Sequence, residues 1–244
     1  MSSRDQLYAD PAQSAPDAFA FNEAVVRVFP DMISRSVPGY DLLLSLIPLI
    51  ARRAVQPHTQ VYDLGCSLAA ATLAARRAIQ VEGVQIIAVD QSAAMVQRAR
   101  DKVAEDNSAI PVEVIEGNVC ELDLTNASLV IMAFTLQFID PAKREALMRR
   151  IHHGLVPGGV LLLAEKMRHE DETTQTWLDS HHLDFKRSQG YSDLEIARKR
   201  QALETVLRAD TPAQHHTRLT AVGFNTVIDV MQALNFAAMV AVKD

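Results

Sequence analysis

The sequence predicts an α/β chain built on a doubly wound, seven-stranded, mostly parallel sheet with an antiparallel hairpin at one edge, plus an N-terminal helical segment and a helical insertion. Three observations carry that prediction. Five short Val/Ile/Leu runs are almost continuously apolar, the pattern of strands buried on both faces. Helical stretches alternate with them, which requires parallel strands joined by crossover helices. The last two strand candidates are separated only by Ala233, Leu234 and Asn235, too few residues for a parallel crossover, so they must pair antiparallel.

Taken in order, residues 20–55 read as an N-terminal cap, in which the turn-rich VFPDMISRSVPGY leads into one amphipathic helix over Tyr40–Ala54. The buried strands are predicted over Val61–Leu64, Gln85–Asp90, Val112–Gly117, Ala127–Phe134 and Gly159–Glu165. Helices are predicted over Leu68–Val81, Ser92–Glu105 and Pro141–Gly154. Residues 170–210 read as an insertion of two polar helices joined at Ser188-Gln189-Gly190-Tyr191, with Ser192 and Glu195 spaced as a capping box for the second. The hairpin strands follow over Phe224–Gln232 and Phe236–Lys243. With no repeat, low-complexity tract or linker, residues 1–244 are expected to form a single domain.

At 48% hydrophobic and 22% charged residues, the 244-residue chain can bury a sizeable core without staples. Its net charge of −6 excludes a broad basic face for a phosphate backbone, so direct nucleic-acid binding is not expected. The N-terminal stretch is polar, and the longest apolar run, Leu42–Ile50, is short and interrupted by Ser45 and Pro48, so no membrane segment or leader is expected. Cys66 and Cys120 sit in ordinary apolar segments, which suits reduced thiols in a cytoplasmic protein.

In an open α/β sheet, ligands bind outside the carboxyl ends of the strands where the strand order reverses, normally at the loop after the first strand. That loop is VYDLGCSLAAAT, Val61–Thr72. Gly65 permits close approach of the backbone to a ligand, and Ser67 is placed to open the following helix with its amides facing that ligand. The second strand ends in Asp90, where a carboxylate can accept both hydroxyls of a ribose. The third ends at Gly117-Asn118, whose amide is placed to meet an adenine edge. A dinucleotide wants the three glycines of G-x-G-x-x-G, whereas Gly65-Cys66-Ser67-Leu68-Ala69 has one, so a D-x-G-x-S loop suits S-adenosylmethionine better. The plain alternative makes Gly65 a turn residue and Asp90 a helix cap. The pairs His152-His153, His181-His182 and His215-His216 lack ligand spacing, so no metal is expected. Cys66 has no adjacent base and reads as packing, and Arg198-Lys199-Arg200 by charge alone is a solvated helix face.

The stretches VFPDMISRSVPGY, VYDLGCS, FTLQF, LVPGGVLLLAEK, HHLDFKRSQGYSDLEI and KRQALE, with the closing NF, together resemble the carboxy-S-adenosylmethionine synthase family over nearly the whole chain. The resemblance implies a class I methyltransferase, Rossmann-like fold in a homodimer. It implies an enzyme that converts S-adenosylmethionine and prephenate to carboxy-S-adenosylmethionine and phenylpyruvate. That product would supply a tRNA carboxymethyltransferase that makes the oxyacetyl modification of wobble uridine. By the same resemblance, Tyr40 would contact bound S-adenosylmethionine, and Gly65, Cys66 and Ser67 would line its methionine portion. Asp90 and Gln91 would meet the ribose and the neighbouring adenine edge, and Asn118 and Val119 the adenine. Arg200 would grip the new carboxylate, a bidentate contact that lysine does not reproduce.

Three positions depart from the family, which commonly has glycine at Ala69, aspartate at Asn118 and asparagine at Ala133, the last a cofactor-contacting position. Losing one such hydrogen bond costs ~1 kcal/mol, about fivefold in affinity. Two alternatives therefore stand beside the synthase: an ordinary S-adenosylmethionine-dependent small-molecule methyltransferase, and a diverged paralogue that only binds the cofactor.

Overall fold

A computed structural model describes residues 4–10 and 19–244. Residues 1–3 and 11–18, part of the N-terminal stretch read as polar and leaderless, lie outside the described residues. The sheet has seven strands in the order β3-β2-β1-β4-β5-β7-β6. They span Gln60–Leu64 (β1), Gln85–Asp90 (β2), Val112–Glu116 (β3), Ala127–Ala133 (β4), Leu155–Lys166 (β5), Thr226–Ala233 (β6) and Phe236–Val242 (β7). The expected hairpin lies at one edge. Within it β7 is the reversed strand, pairing antiparallel with both β5 and β6, so the outermost strand β6 runs with the others.

The apolar runs are explained by burial on two sides. In β4, Leu129 and Ile131 face a cluster that includes Leu43, Ile47 and Ala75, whereas Val130 and Met132 face Leu147, Ile151 and Leu219. The first group comes from α2 (Tyr40–Ala54) and α3 (Ala70–Arg76), the second from α5 (Pro141–Gly154) and α8 (Pro212–Ala221). Each fully buried Leu or Ile contributes roughly 1.5–3 kcal/mol of transfer free energy, so the central strands anchor the molecule. The helix α4 (Ala93–Glu105) starts at Ser92, whose side chain accepts from the Met95 amide, and lies against β2 and β3.

The sequence misjudges three helices. VFPDMISRS is not a turn-rich lead-in but most of α1 (Glu23–Ser36), which carries Pro30 inside it. Val25, Val26, Val28 and Met32 pack with Leu68 and Met95, and that burial outweighs the amide hydrogen bond which Pro30 cannot make. The helix predicted over Leu68–Val81 is confined to Ala70–Arg76, because the loop before it is held by β2. The third is α8, absent from the sequence reading although Thr211-Pro212-Ala213-Gln214 supplies both a capping box and a proline in the first turn.

The insertion folds as predicted into two helices, α6 (Glu172–Ser188) and α7 (Asp193–Glu204). The Ser192 side chain accepts from the Glu195 amide while Glu195 accepts from the Ser192 amide. Replacing Ser192→Ala removes one member of this reciprocal pair and is expected to cost ~1 kcal/mol, or about 2–4 °C in Tm at this chain length, in a thermal melt. A melt indistinguishable from the parent chain would mean that α7 does not depend on this cap.

Candidate functional site

The strand order reverses between β1 and β4, and a cavity of about 800 Å³ opens over the carboxyl ends there, roofed by α1, α6 and α7. Its size suits an organic ligand. The ten residues singled out by sequence, Tyr40, Gly65, Cys66, Ser67, Asp90, Gln91, Asn118, Val119, Ala133 and Arg200, all line it. The chain brings them together because strands β1, β2, β3 and β4 each end at this level while α7 lays Arg200 across the top.

The loop after β1 is pinned from below. Gly65 and Cys66 both donate their amides to the Val89 carbonyl, at 2.8 and 2.9 Å, and Gly65 takes φ +84°. Ser67 does not open α3 as expected. Its amide donates to Asp90 Oδ2 at 2.9 Å with φ +51°, and the cap position falls to Ala69 at φ +61°. Ala69 is therefore a non-glycine residue in the left-handed region, where glycine is unstrained and the family's common residue fits more easily. The Cys66 thiol is buried, and desolvation with the charges of Asp63 and Asp90 raises its pKa, so it is held as the inert thiol.

Asp90 accepts one amide on each oxygen, Ser67 on Oδ2 and Ser92 on Oδ1, both at 2.9 Å. Each oxygen keeps further accepting capacity and Asp90 lines the cavity, so the carboxylate can accept both hydroxyls of a diol. Burial raises the pKa of Asp90 and the two amides oppose that rise. Asn118 is differently placed from a free adenine-binding amide. Its Oδ1 accepts from the Cys120 amide at 3.0 Å and its Nδ2 donates to Glu121 at 2.8 Å, so it also closes the turn after β3. Val119 is buried beside it as an apolar wall. Tyr40 begins α2 with its ring 6.4 Å from that of Phe134, and burial, together with Asp63 and Asp41, raises its pKa, keeping the hydroxyl protonated.

Sequence reasoning missed several lining residues and one buried carboxylate that shapes the site. Asp63, the penultimate residue of β1, accepts from the amide and hydroxyl of Thr72 at 3.0 and 2.5 Å, and burial raises its pKa to about 6 against those bonds. The D of D-x-G-x-S was its signal. Glu165 is wholly buried and accepts from the amides of Thr135, Leu136 and Gln137 at 2.8 to 3.1 Å, which fixes the turn beyond Ala133. Lys166, Lys186 and Lys199 also line the cavity, and the signal for the first is a lysine closing an apolar run. Charge is spread unevenly over the site: Asp63 and Asp90 lie on the β1/β2 side, and three lysines with Arg200 outnumber Asp179 and Glu204 on the β5, α6 and α7 side. Among the described residues no cluster of three His, Cys, Asp or Glu has the arrangement of a metal site.

Residues 61–159 match the family described as a methyltransferase domain. The carboxy-S-adenosyl-L-methionine synthase of Aeromonas salmonicida (strain A449) is 49% identical over 243 residues, covering 100% of this chain and 98% of the relative. That of Pseudomonas putida (strain GB-1) is 50% identical, with 97% of each covered. The chain belongs to the carboxy-S-adenosyl-L-methionine synthase family. Family membership makes it an S-adenosyl-L-methionine-dependent transferase. The fold is that of class I methyltransferases: the apo structure of the S-adenosylmethionine-dependent methyltransferase SibL superposes with a TM-score of 0.65 at 18% identity, over 100% of this chain and 63% of that one. Among the described residues no helix is long and apolar enough to cross a membrane.

Proposed function

We propose that this member of the carboxy-S-adenosyl-L-methionine synthase family takes prephenate as the source of the carboxyl group and releases phenylpyruvate, and that its product serves the oxyacetyl modification of wobble uridine in tRNA. The observation that carries the reading is Arg200. It lines the same cavity as the adenosine-type contacts of Gly65, Asp90 and Val119, and no carboxylate of the described residues pairs with it.

The residues suggest a division of labour. Asp90 holds the ribose hydroxyls with the lone pairs that the two amides leave free, while the Gly65–Ser67 backbone lies along the methionine portion. Tyr40 and Ala133 flank the sulfonium end. The ring C–COO⁻ bond of prephenate breaks, its electron pair aromatises the ring, and the ring hydroxyl departs as hydroxide. Hydroxide takes a proton from the sulfonium methyl and becomes water. The resulting ylide carbon forms a bond to carbon dioxide, giving S–CH₂–COO⁻. Negative charge grows on that carboxylate as the bond forms, and Arg200 supplies a preorganised fork to receive it. Ordinary methyl transfer has no use for such a fork.

The test is to incubate the purified protein with S-adenosylmethionine and prephenate and to analyse the small molecules by mass spectrometry. The expected product is heavier than S-adenosylmethionine by one carbon dioxide, appearing in equal amount with phenylpyruvate. Unchanged S-adenosylmethionine with untouched prephenate would overturn the reading.

A further inference from the structure

The β5, α6 and α7 side of the cavity carries more positive charge than its own residues neutralise. Lys166 ends β5, Lys186 projects from α6, and Lys199 and Arg200 from α7, all onto one wall. Lys199 is accounted for: its ammonium pairs with Asp5 at 3.5 Å and donates to the Ser36 hydroxyl at 2.9 Å. Lys166, Lys186 and Arg200 have no carboxylate within ion-pair distance among the described residues. Asp179 of α6 and Glu204 of α7 also line the cavity and offset part of this charge, but neither forms an ion pair with the three; Asp179 accepts from Gln175 at 2.8 Å and from Asn235 at 3.3 Å. His182 Nε2 donates to the Ser36 carbonyl at 2.8 Å, and burial beside Lys186 lowers its pKa to about 3, so it adds no charge.

Three like charges left unpaired beside a cavity, two of them on half-buried or buried side chains, are expensive unless a ligand neutralises them. S-Adenosylmethionine is not that ligand, because its sulfonium and ammonium outnumber its carboxylate and it adds positive charge. It is also anchored on the opposite half, over β1, β2 and β3. Three cations without an ion-pair partner, set on one wall, suit a second substrate that brings two anionic groups. We infer that Lys166 and Lys186 form, with Arg200, a docking wall for a dicarboxylate co-substrate, in which the two lysines hold the carboxylate that is retained and Arg200 faces the one that is transferred. This rests on the reading given under the proposed function. One carboxylate stays with the keto-acid product and remains on the lysines, so the product leaves only when that contact breaks.

The electrostatics agree. Burial, then Lys199, Lys166 and Arg200, push the Lys186 ammonium down to about 7, and burial and Arg200 lower Lys166 as well, with Asp179 opposing both. A bound carboxylate favours the ammonium. Affinity is therefore complete below that value and weakens as pH rises through it, by up to about tenfold per pH unit for one proton.

The experiment uses Lys186→Met, Lys166→Met and the charge-retaining Lys186→Arg in the full chain. The two methionine variants are expected to raise KM for prephenate about tenfold or more while the calorimetric Kd for S-adenosylmethionine stays within about twofold, and Lys186→Arg is expected to recover most of the loss. Titration of phenylpyruvate into the S-adenosylmethionine-loaded protein is expected to weaken by a similar factor in both methionine variants, and the fall in affinity above about pH 7 is expected to shrink in Lys186→Met. Unaltered KM and phenylpyruvate affinity would overturn the docking wall while leaving the carboxylation intact. An equal loss of S-adenosylmethionine affinity would also overturn it, by making the lysines structural. A protein that ignores prephenate yet binds phenylpyruvate through these lysines would sink the carboxylation and keep the wall.

Discussion

Replacing Arg200→Ala is expected to lower kcat/KM for carboxy-S-adenosylmethionine formation by about 10²–10³, equivalent to roughly 2.7–4 kcal/mol of transition-state stabilisation, while S-adenosylmethionine binding changes little. The asymmetry follows from position. Arg200 lies on α7, across the cavity from the amides and carboxylates at the ends of β1 and β2 that would hold the nucleoside. Its residue is exposed and lines the cavity, and no carboxylate of the described residues pairs with it, so it is placed to receive one that forms during the reaction. Arg200→Lys keeps the charge but not the planar fork, and is expected to recover only part of the rate. The measurement is initial rate against prephenate at saturating S-adenosylmethionine, with product identified by mass. A variant that carboxylates at the parental rate would remove Arg200 from the reaction. One that forms S-adenosylhomocysteine faster than the parent chain would show that the arginine also guards against ordinary methyl transfer.

What the sequence conveyed about this molecule follows the range of the forces involved. The strands were legible because burial on both faces writes itself as an unbroken apolar run, as in Leu129–Met132, all of it buried. The capping box at Ser192 was legible because both partners lie within one turn. The left-handed Ser67 was not, since its conformation is set by Asp90, twenty-three positions later in the chain and adjacent only once β1 and β2 have paired. α1 was hidden by Pro30, whose local penalty dominates a reading of neighbours but not the packing of Val25, Val28 and Met32. The same holds for the site. Gly65 and Asp90 announce themselves by residue type at strand ends. The cationic wall does not, because Lys166, Lys186 and Arg200 come from three separate elements, and only the docking of the insertion over the sheet makes them neighbours. The basic run Arg198-Lys199-Arg200 divides in the fold: Arg198 donates to the Asp10 carbonyl, Lys199 is satisfied by Asp5, and Arg200 is left facing the cavity.

Gly65→Ala is the second change with a large expected effect, and here two penalties add. A methyl group built at Gly65 would lie 2.1 Å from Thr135 Oγ1, 2.5 Å from its Cγ2 and 2.9 Å from its Cβ. Thr135 has little freedom to yield, because its amide donates to the buried Glu165 at 3.1 Å. The backbone at φ +84° adds the left-handed cost of ~1–2 kcal/mol for any residue with a Cβ. Overpacking of this kind costs a further ~1–3 kcal/mol. The sum, roughly 2–5 kcal/mol, is expected to appear as a lower urea midpoint and, because the loop can relieve the clash only by leaving the Val89 carbonyl, as lost S-adenosylmethionine affinity in calorimetry. The double variant Gly65→Ala with Thr135→Gly separates the two contributions. It removes every Thr135 atom that the new methyl meets but leaves the backbone strain, so relative to Thr135→Gly alone the residual loss is expected to be ~1–2 kcal/mol. A double variant no better than the single one would place the whole penalty in the backbone. A Gly65→Ala protein with parental stability would mean that the loop adopts a different course from the one that joins β1 to Asp90.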